Sequence, residues 1–158
     1  MSVKPIPDGY HSVTPYLILT GAAQGLEFYQ QAFGATVTLR MDGPGGKIMH
    51  AEIRIGDSVI MLADECPEMN AISPTTLKGT PVSLMIYVEA VDTVFSRAIA
   101  AGATVRRAVQ NQFYGDRSGT LVDPFGHVWT ISTHTEDLTP EEIAKRAEAM
   151  MSQPTEGN

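Results

Sequence analysis

The tetrapeptide Gly-Ala-Thr-Val occurs twice in this chain, at 34–37 and again at 102–105. Four matching residues alone are weak evidence of duplication. Their setting is stronger, because each copy closes a helical pattern and opens a strand pattern. Before the first copy, Ala22, Leu26, Tyr29 and Phe33 recur at helical spacing, and Gly34 stands where a helix exits. Before the second, Val91, Val94, Phe95, Ala98 and Ala101 share one helical side, and Gly102 is the stop. Each helix follows a strand-like run, His11 to Thr20 and Val82 to Glu89. Each series then ends in a hairpin pattern. The chain therefore reads as one βαβββ unit used twice, 68 positions apart.

The two hairpins carry the face assignments. In Ile48 to Asp64 a Gly56-Asp57 connection favours a primed two-residue turn. That register pairs Ile55 with Ser58, Arg54 with Val59, Ile53 with Ile60, Glu52 with Met61 and His50 with Ala63. Ala51, Ile53, Ile60 and Leu62 then form an apolar face for helices to cover, while His50, Glu52 and Arg54 stand in a row on the other. In Tyr114 to His134 the turn is read at Asp123-Pro124-Phe125-Gly126. Val122 is expected opposite His127, Leu121 opposite Val128 and Thr120 opposite Trp129. Trp129 and Ile131 point one way, and Val128, Thr130 and Ser132 the other.

The remaining segments are simpler. Residues 1–10 read as an extended lead-in, and 65–80 as a loop broken by Pro67, Pro74 and Gly79. Thr139-Pro140-Glu141-Glu142 carries a capping-box pattern. The helix it starts has an apolar stripe of Ile143, Ala147, Met150 and Met151, suited to the protein's own core or a dimer mate. Residues 153–158 are expected to fray. The expected division is a single domain over 1–134, with units at 11–64 and 80–134, then a helix and tail over 135–158.

Composition excludes some function classes. A formal charge of −7 and a pI near 4.9 argue against nucleic acid and anionic membrane surfaces as partners. A single cysteine, Cys66, rules out an internal disulfide. The beginning of the sequence shows no signal-peptide pattern, and no apolar run approaches the roughly 20 residues that span a bilayer. A soluble cytoplasmic protein is expected.

Two βαβββ units, a Phe-Tyr-x-x-x-Phe-Gly helix end at 28–34 and a closing Asp-Pro-Phe-Gly hairpin resemble the vicinal oxygen chelate superfamily, over residues 11–134. That group includes glyoxalase I, extradiol dioxygenases and bleomycin-resistance proteins. HAEIRIGDSVIMLAD at 50–64 and YGDRSGTLVDPFGHVWTISTH at 114–134, followed by Glu136-Asp137, look most like its PhnB-like branch. Members of that branch often carry a methyltransferase-like label. This sequence has no glycine-rich strand-to-helix loop for a nucleotide-type methyl donor.

The resemblance implies an α+β fold of two U-shaped mixed sheets with helices on the convex side. It also implies metal ligands on the first and fourth strand of each unit. Those positions fall on Thr14, Met61, Ser83 and Thr130, two of them threonine hydroxyls, one a thioether and one a serine, and none is a competent ligand for a divalent ion. Neither a metal nor another cofactor is expected. Strand alternation places Tyr16, His50, Glu52, Arg54, Met85, Tyr87 and Ser132 on the same surface, with Arg117 joining from opposite Ser132.

His50 and Glu52 could form an acid/base pair, a displaced metal pair or, with Arg54, a polar network holding two strands in register. His127 is read as structural, and His11 and His134 as exposed strand ends. Glu65 and Glu68 beside Cys66 disfavour a nucleophilic thiol.

Two function classes follow. The first is a metal-free binding protein for a small organic molecule, working as a homodimer. Its ligand-binding residues are expected to be Thr14, Tyr16, His50, Glu52, Arg54, Met61, Ser83, Tyr87, Arg117 and Thr130. The second is a lyase, isomerase or dioxygenase-like enzyme using a displaced metal or the His50/Glu52 pair.

Overall fold

The computed structural model describes residues 3–152. The first half of the chain gives β1 (Tyr16–Leu19), α1 (Ala22–Phe33), β2 (Thr36–Asp42), β3 (Ile48–Ile55) and β4 (Ser58–Asp64). A short helix, α2 (Pro74–Leu77), lies between the halves. The second half repeats the order with β5 (Ser83–Tyr87), α3 (Val91–Ala100), β6 (Thr104–Asn111), β7 (Asp116–Val122) and β8 (Val128–His134), and α4 (Pro140–Met151) follows. The expected α+β class of two βαβββ units is what forms.

Each half makes one four-stranded mixed sheet. The orders are β1-β4-β3-β2 and β5-β8-β7-β6, with the β1–β4 and β5–β8 pairs parallel and the rest antiparallel. One face of each sheet is apolar: Ala51, Ile53, Ile60 and Leu62 in the first, Leu121, Trp129 and Ile131 in the second. The helices bury these faces and pack on each other, so one core runs through both halves. Tyr29 and Phe33 of α1 meet Trp129 of β8, with ring centroids 5.5 and 4.9 Å away. Each of these large side chains contributes about 1.5–3 kcal/mol by leaving water. With the helices sandwiched in the middle, the two sheets turn their other faces outward.

α1 stops at Gly34, whose φ of 67° is the left-handed conformation glycine adopts without strain. The Gly34 N–H donates to the Gln30 carbonyl and that of Ala35 to the Tyr29 carbonyl. α4 starts with the expected capping box, Thr139 and Glu142 each accepting from the other's backbone N–H.

Several expectations are corrected. The first strand begins at Tyr16 rather than His11, because Pro15 has no N–H to pair and contributes only its carbonyl, which accepts from Met61 N at 2.9 Å. The β3–β4 register agrees with the expected pairs from Ile55–Ser58 to Glu52–Met61, and ends at Ala51–Leu62, short of His50–Ala63. The β7–β8 hairpin is shifted by one: Val122 pairs with Val128, Leu121 with Trp129 and Thr120 with Thr130. The connection is five residues long, closed by Asp123 N donating to His127 O at 2.9 Å.

The 65–80 segment is more ordered than a loop. Pro67 and Pro74 each start a helical turn, and the Glu65 carboxylate accepts from Ser73 N, Thr20 and Thr76. Those donors, Ser73 first, hold Glu65 at a pKa of about 2. The α4 stripe buries no residue, and Met150 and Met151 are exposed. The expected fraying of 153–158 lies outside the described residues. Among the described residues no helix is long and apolar enough to cross a membrane.

Candidate functional site

Alternation along β3 sends Ala51, Ile53 and Ile55 into the core and His50, Glu52 and Arg54 outward. Met61 of β4 lies beside Glu52, and Tyr16 of β1 beside Met61. These neighbours form a hydrogen-bonded row. The Tyr16 hydroxyl is 2.8 Å from His50 Nδ1, and His50 Nε2 is 3.3 Å from Glu52 Oε1. Tyr10, in the segment before the sheet, donates its hydroxyl to Glu52 Oε2. Arg54 turns aside to the carbonyls of Gly9 and Asp57, at 3.4 and 3.5 Å.

The electrostatics centre on Glu52, whose side chain is only 12% exposed. Its hydrogen bond raises the Tyr10 hydroxyl above the ordinary tyrosine range. Partial burial, and then the Glu52 charge, do the same for Tyr16. Both phenols stay protonated at neutral pH. Between this face and the N-terminal segment lies a cavity of about 430 Å³, whose wall includes Pro7, Tyr10, Thr14, Glu52 and Met61.

The outward face of the second sheet carries a different cluster. Asp116, 3% exposed, accepts from the Tyr87 and Ser132 hydroxyls, both at 3.0 Å, and lies 2.8 Å from His134 Nδ1. His134 Nε2 is 3.0 Å from Asp137 Oδ1. Burial pushes the Asp116 carboxyl up, but hydrogen bonds from His134, Tyr87 and Ser132 outweigh it and hold the group below its ordinary value. The same bond to Asp116, then that to Asp137, raises His134. Nearby, Thr120 Oγ1 lies 3.0 Å from Thr130 Oγ1 and accepts from Arg107 at 3.2 Å.

The expected site residues thus divide into three groups. Tyr16, His50, Glu52, Arg54 and Met61 lie on the first outward face, with Thr14 in the segment just before β1 rather than on a strand. Ser83, Tyr87 and Thr130 lie on the second. The helix layer separates the faces, so one chain does not bring both sets together. Arg117 belongs to neither face. The one-residue shift pairs it with Thr133, and its guanidinium grips Asp92 of α3 with two bonds of 2.8 Å on the helix side.

Two residues of these clusters, Tyr10 and Asp116, went unread in the sequence, and His134, an exposed strand end as expected, was not read as Asp116's partner. Tyr10 is the one aromatic in a lead-in otherwise rich in proline. Asp116 and His134 are register partners at the open end of the hairpin, which the five-residue connection would have revealed.

The positions that the family resemblance assigns to metal ligands carry side chains whose chemistry does not fit a divalent ion. Thr14, Met61, Ser83 and Thr130 offer neutral hydroxyls and a thioether, and Thr130 is already engaged with Thr120. Among the described residues no three His, Cys, Asp or Glu side chains converge as a metal-holding group.

A doubled βαβββ fold with polar rows on two open sheet faces defines a class of small-molecule-handling scaffolds, which host many chemistries. The chain belongs to the Glyoxalase/Bleomycin resistance protein/Dioxygenase superfamily, whose sequence model matches residues 14–131. It is 41% identical over 135 residues to the uncharacterized protein Rv0887c of Mycobacterium tuberculosis, covering 84% of this chain and 79% of that protein. TioX from Micromonospora sp. ML1 has a similar structure, with TM-score 0.64, 25% identity, and 78% and 98% of the two chains covered. The PhnB protein of Bacillus cereus shares the fold at TM-score 0.59 and 21% identity, over 78% and 99% of the two chains.

Proposed function

We propose that the protein binds a small organic molecule without a metal ion, in clefts made by its outward sheet faces and completed by a second copy of the chain. The carrying observation is the Tyr10–Glu52–His50–Tyr16 row. Fixed hydrogen-bonding groups stand on an open face beside a cavity, and the positions expected to hold a metal carry only hydroxyls and a thioether. A ligand lacking the matching polar group would leave buried partners unpaired, which makes such a row selective. The homodimer is supported by apolar side chains exposed on both faces: Tyr16, Leu39 and Met41 on one, Met85 and Tyr87 on the other. The same reading puts the protein in the cytoplasm, where the free Cys66 stays reduced.

One observation favours a second reading. Glu52 and Tyr16 engage opposite nitrogens of His50, an arrangement that orients an imidazole for general acid/base work. Elemental analysis of protein purified from its host without chelators tests the metal-free state that the binding reading assumes. The binding reading expects well below one equivalent of Zn, Ni, Fe or Mn. A tightly held metal near one equivalent, lost in His50→Ala or Glu52→Ala, would establish a metalloenzyme instead.

A further inference from the structure

We propose that the cavity between the N-terminal segment and the first outward face receives a small organic cation, an ammonium or amidinium group on an apolar body. This rests on the binding function proposed above and names its ligand class.

The argument starts from what the wall contains. Of the described residues lining the cavity, one is a carboxylate, Glu52, and none is a lysine or arginine. The rest of the wall mixes apolar and polar groups: Pro5, Ile6, Pro7, Met61 and the Tyr10 ring, together with the Ser12 and Thr14 hydroxyls and the His11 imidazole, whose Nε2 lies 3.6 Å from the Asp57 carboxylate. The volume, about 430 Å³, is that of a site for a compact organic molecule.

Glu52 is held in place by two neighbours. Each of its oxygens has one neighbour, Tyr10 at Oε2 and His50 at Oε1, and a carboxylate accepts about four hydrogen bonds. Acceptor capacity remains for a ligand donor. The nearest arginine, Arg54, directs its guanidinium to the carbonyls of Gly9 and Asp57, not to this carboxylate. Its charge reaches Tyr10 more weakly than the Glu52 hydrogen bond does, since the hydroxyl is raised on balance.

A ligand carboxylate would face Glu52 at close range with no lysine or arginine in the wall to offset the repulsion. A neutral ligand would leave Glu52 with only its Tyr10 and His50 hydrogen bonds. An ammonium would meet the carboxylate directly and place its body against the prolines, Met61 and the Tyr10 ring, whose face attracts cations.

The test compares three molecules of similar shape on the full-length protein: 2-phenylethylammonium, 2-phenylethanol and 3-phenylpropionate. Backbone amide shifts of Tyr10, Glu52 and Met61 are followed by NMR during titration. The ammonium should move all three saturably, at least tenfold more tightly than the alcohol, while the carboxylate leaves them unmoved. Glu52→Gln should weaken the ammonium at least tenfold while keeping the dispersed spectrum of a folded chain. Should that variant unfold, the three-ligand comparison on wild type decides alone. Equal or tighter binding of the alcohol or carboxylate at the same amides would overturn the cation and leave the binding function standing. Failure of all three to move those amides would overturn the cation, and the binding function would then stand or fall on the ligand screen that closes the Discussion.

Discussion

The Tyr29 hydroxyl donates to Asp123 Oδ2 at 2.7 Å, joining α1 of the first unit to the hairpin of the second across 94 positions of sequence. Trp129 Nε1 donates to the same oxygen at 2.9 Å, and the Phe125 and His127 amides to Oδ1, each at 2.9 Å. A buried carboxylate with four donors is fully used. It fixes the packing of the two halves, and hence the direction each open face looks.

Tyr29→Phe leaves Asp123 one donor short and should lower unfolding free energy by about 1–3 kcal/mol. Asp123→Ala strands all four donors and should cost more, about 3–5 kcal/mol. Urea denaturation followed by tryptophan fluorescence measures both, since Trp129 is the single tryptophan. A loss below about 0.5 kcal/mol in Asp123→Ala would remove the clasp from the account.

This clasp also explains where the sequence stopped being legible. Periodicity showed the duplicated units, both helices and the Gly56-Asp57 hairpin, because each depends on neighbours within a few residues. The β7–β8 register depends on Asp123 being drawn inward by Tyr29 and Trp129, and no turn preference encodes a contact that distant. Reading a four-residue turn moved β7 by one position and sent Arg117 to the wrong face. The outward row of His50, Glu52 and Arg54 was legible from alternation alone. That Tyr10 would fold back onto Glu52 was not, since a proline-rich lead-in carries no periodic signal.

Asp64 ties the start of α1 to β3. Its Oδ1 accepts from Gly21 N and Ala22 N, both at 2.9 Å, and its Oδ2 from Ile48 N at 2.8 Å. Asp64→Ala should cost about 1–2 kcal/mol, the usual worth of a helix cap. Amide hydrogen exchange should show the change locally, with faster exchange at Gly21, Ala22 and Ile48 than in wild type. Unchanged exchange at all three would contradict the role.

His134 makes stability depend on pH. Its folded pKa is raised by Asp116 and Asp137 above the ordinary value of 6.5, so the protonated form is favoured by folding. That stabilisation is fully present below about pH 6.5 and is lost as pH rises through the raised folded value. Denaturation of wild type and His134→Gln at pH 5.5 and pH 9 should show the larger gap at pH 5.5. A gap that widens at pH 9 would reverse the sign and contradict the assignment.

Assembly has a direct readout. Light scattering at micromolar concentration should give a particle near 34 kDa, twice the 17.0 kDa chain. Placing a charge on the exposed apolar surface, by Met41→Glu or Met85→Glu, should shift it toward monomer, because each charge would be desolvated in the seam. A 17 kDa particle for wild type would end the shared-cleft reading.

The central claim, that the polar row on the first sheet recognises a ligand, is tested most directly by thermal-shift screening of wild type and Glu52→Gln against one library of metabolites and antibiotics. The claim predicts at least one compound that raises the melting temperature of wild type and raises that of Glu52→Gln much less, while the unliganded proteins melt within a few degrees of each other. Compounds that stabilise both proteins equally, or no hit beside a large drop in the variant's own melting temperature, would contradict it and leave the row as a purely structural network.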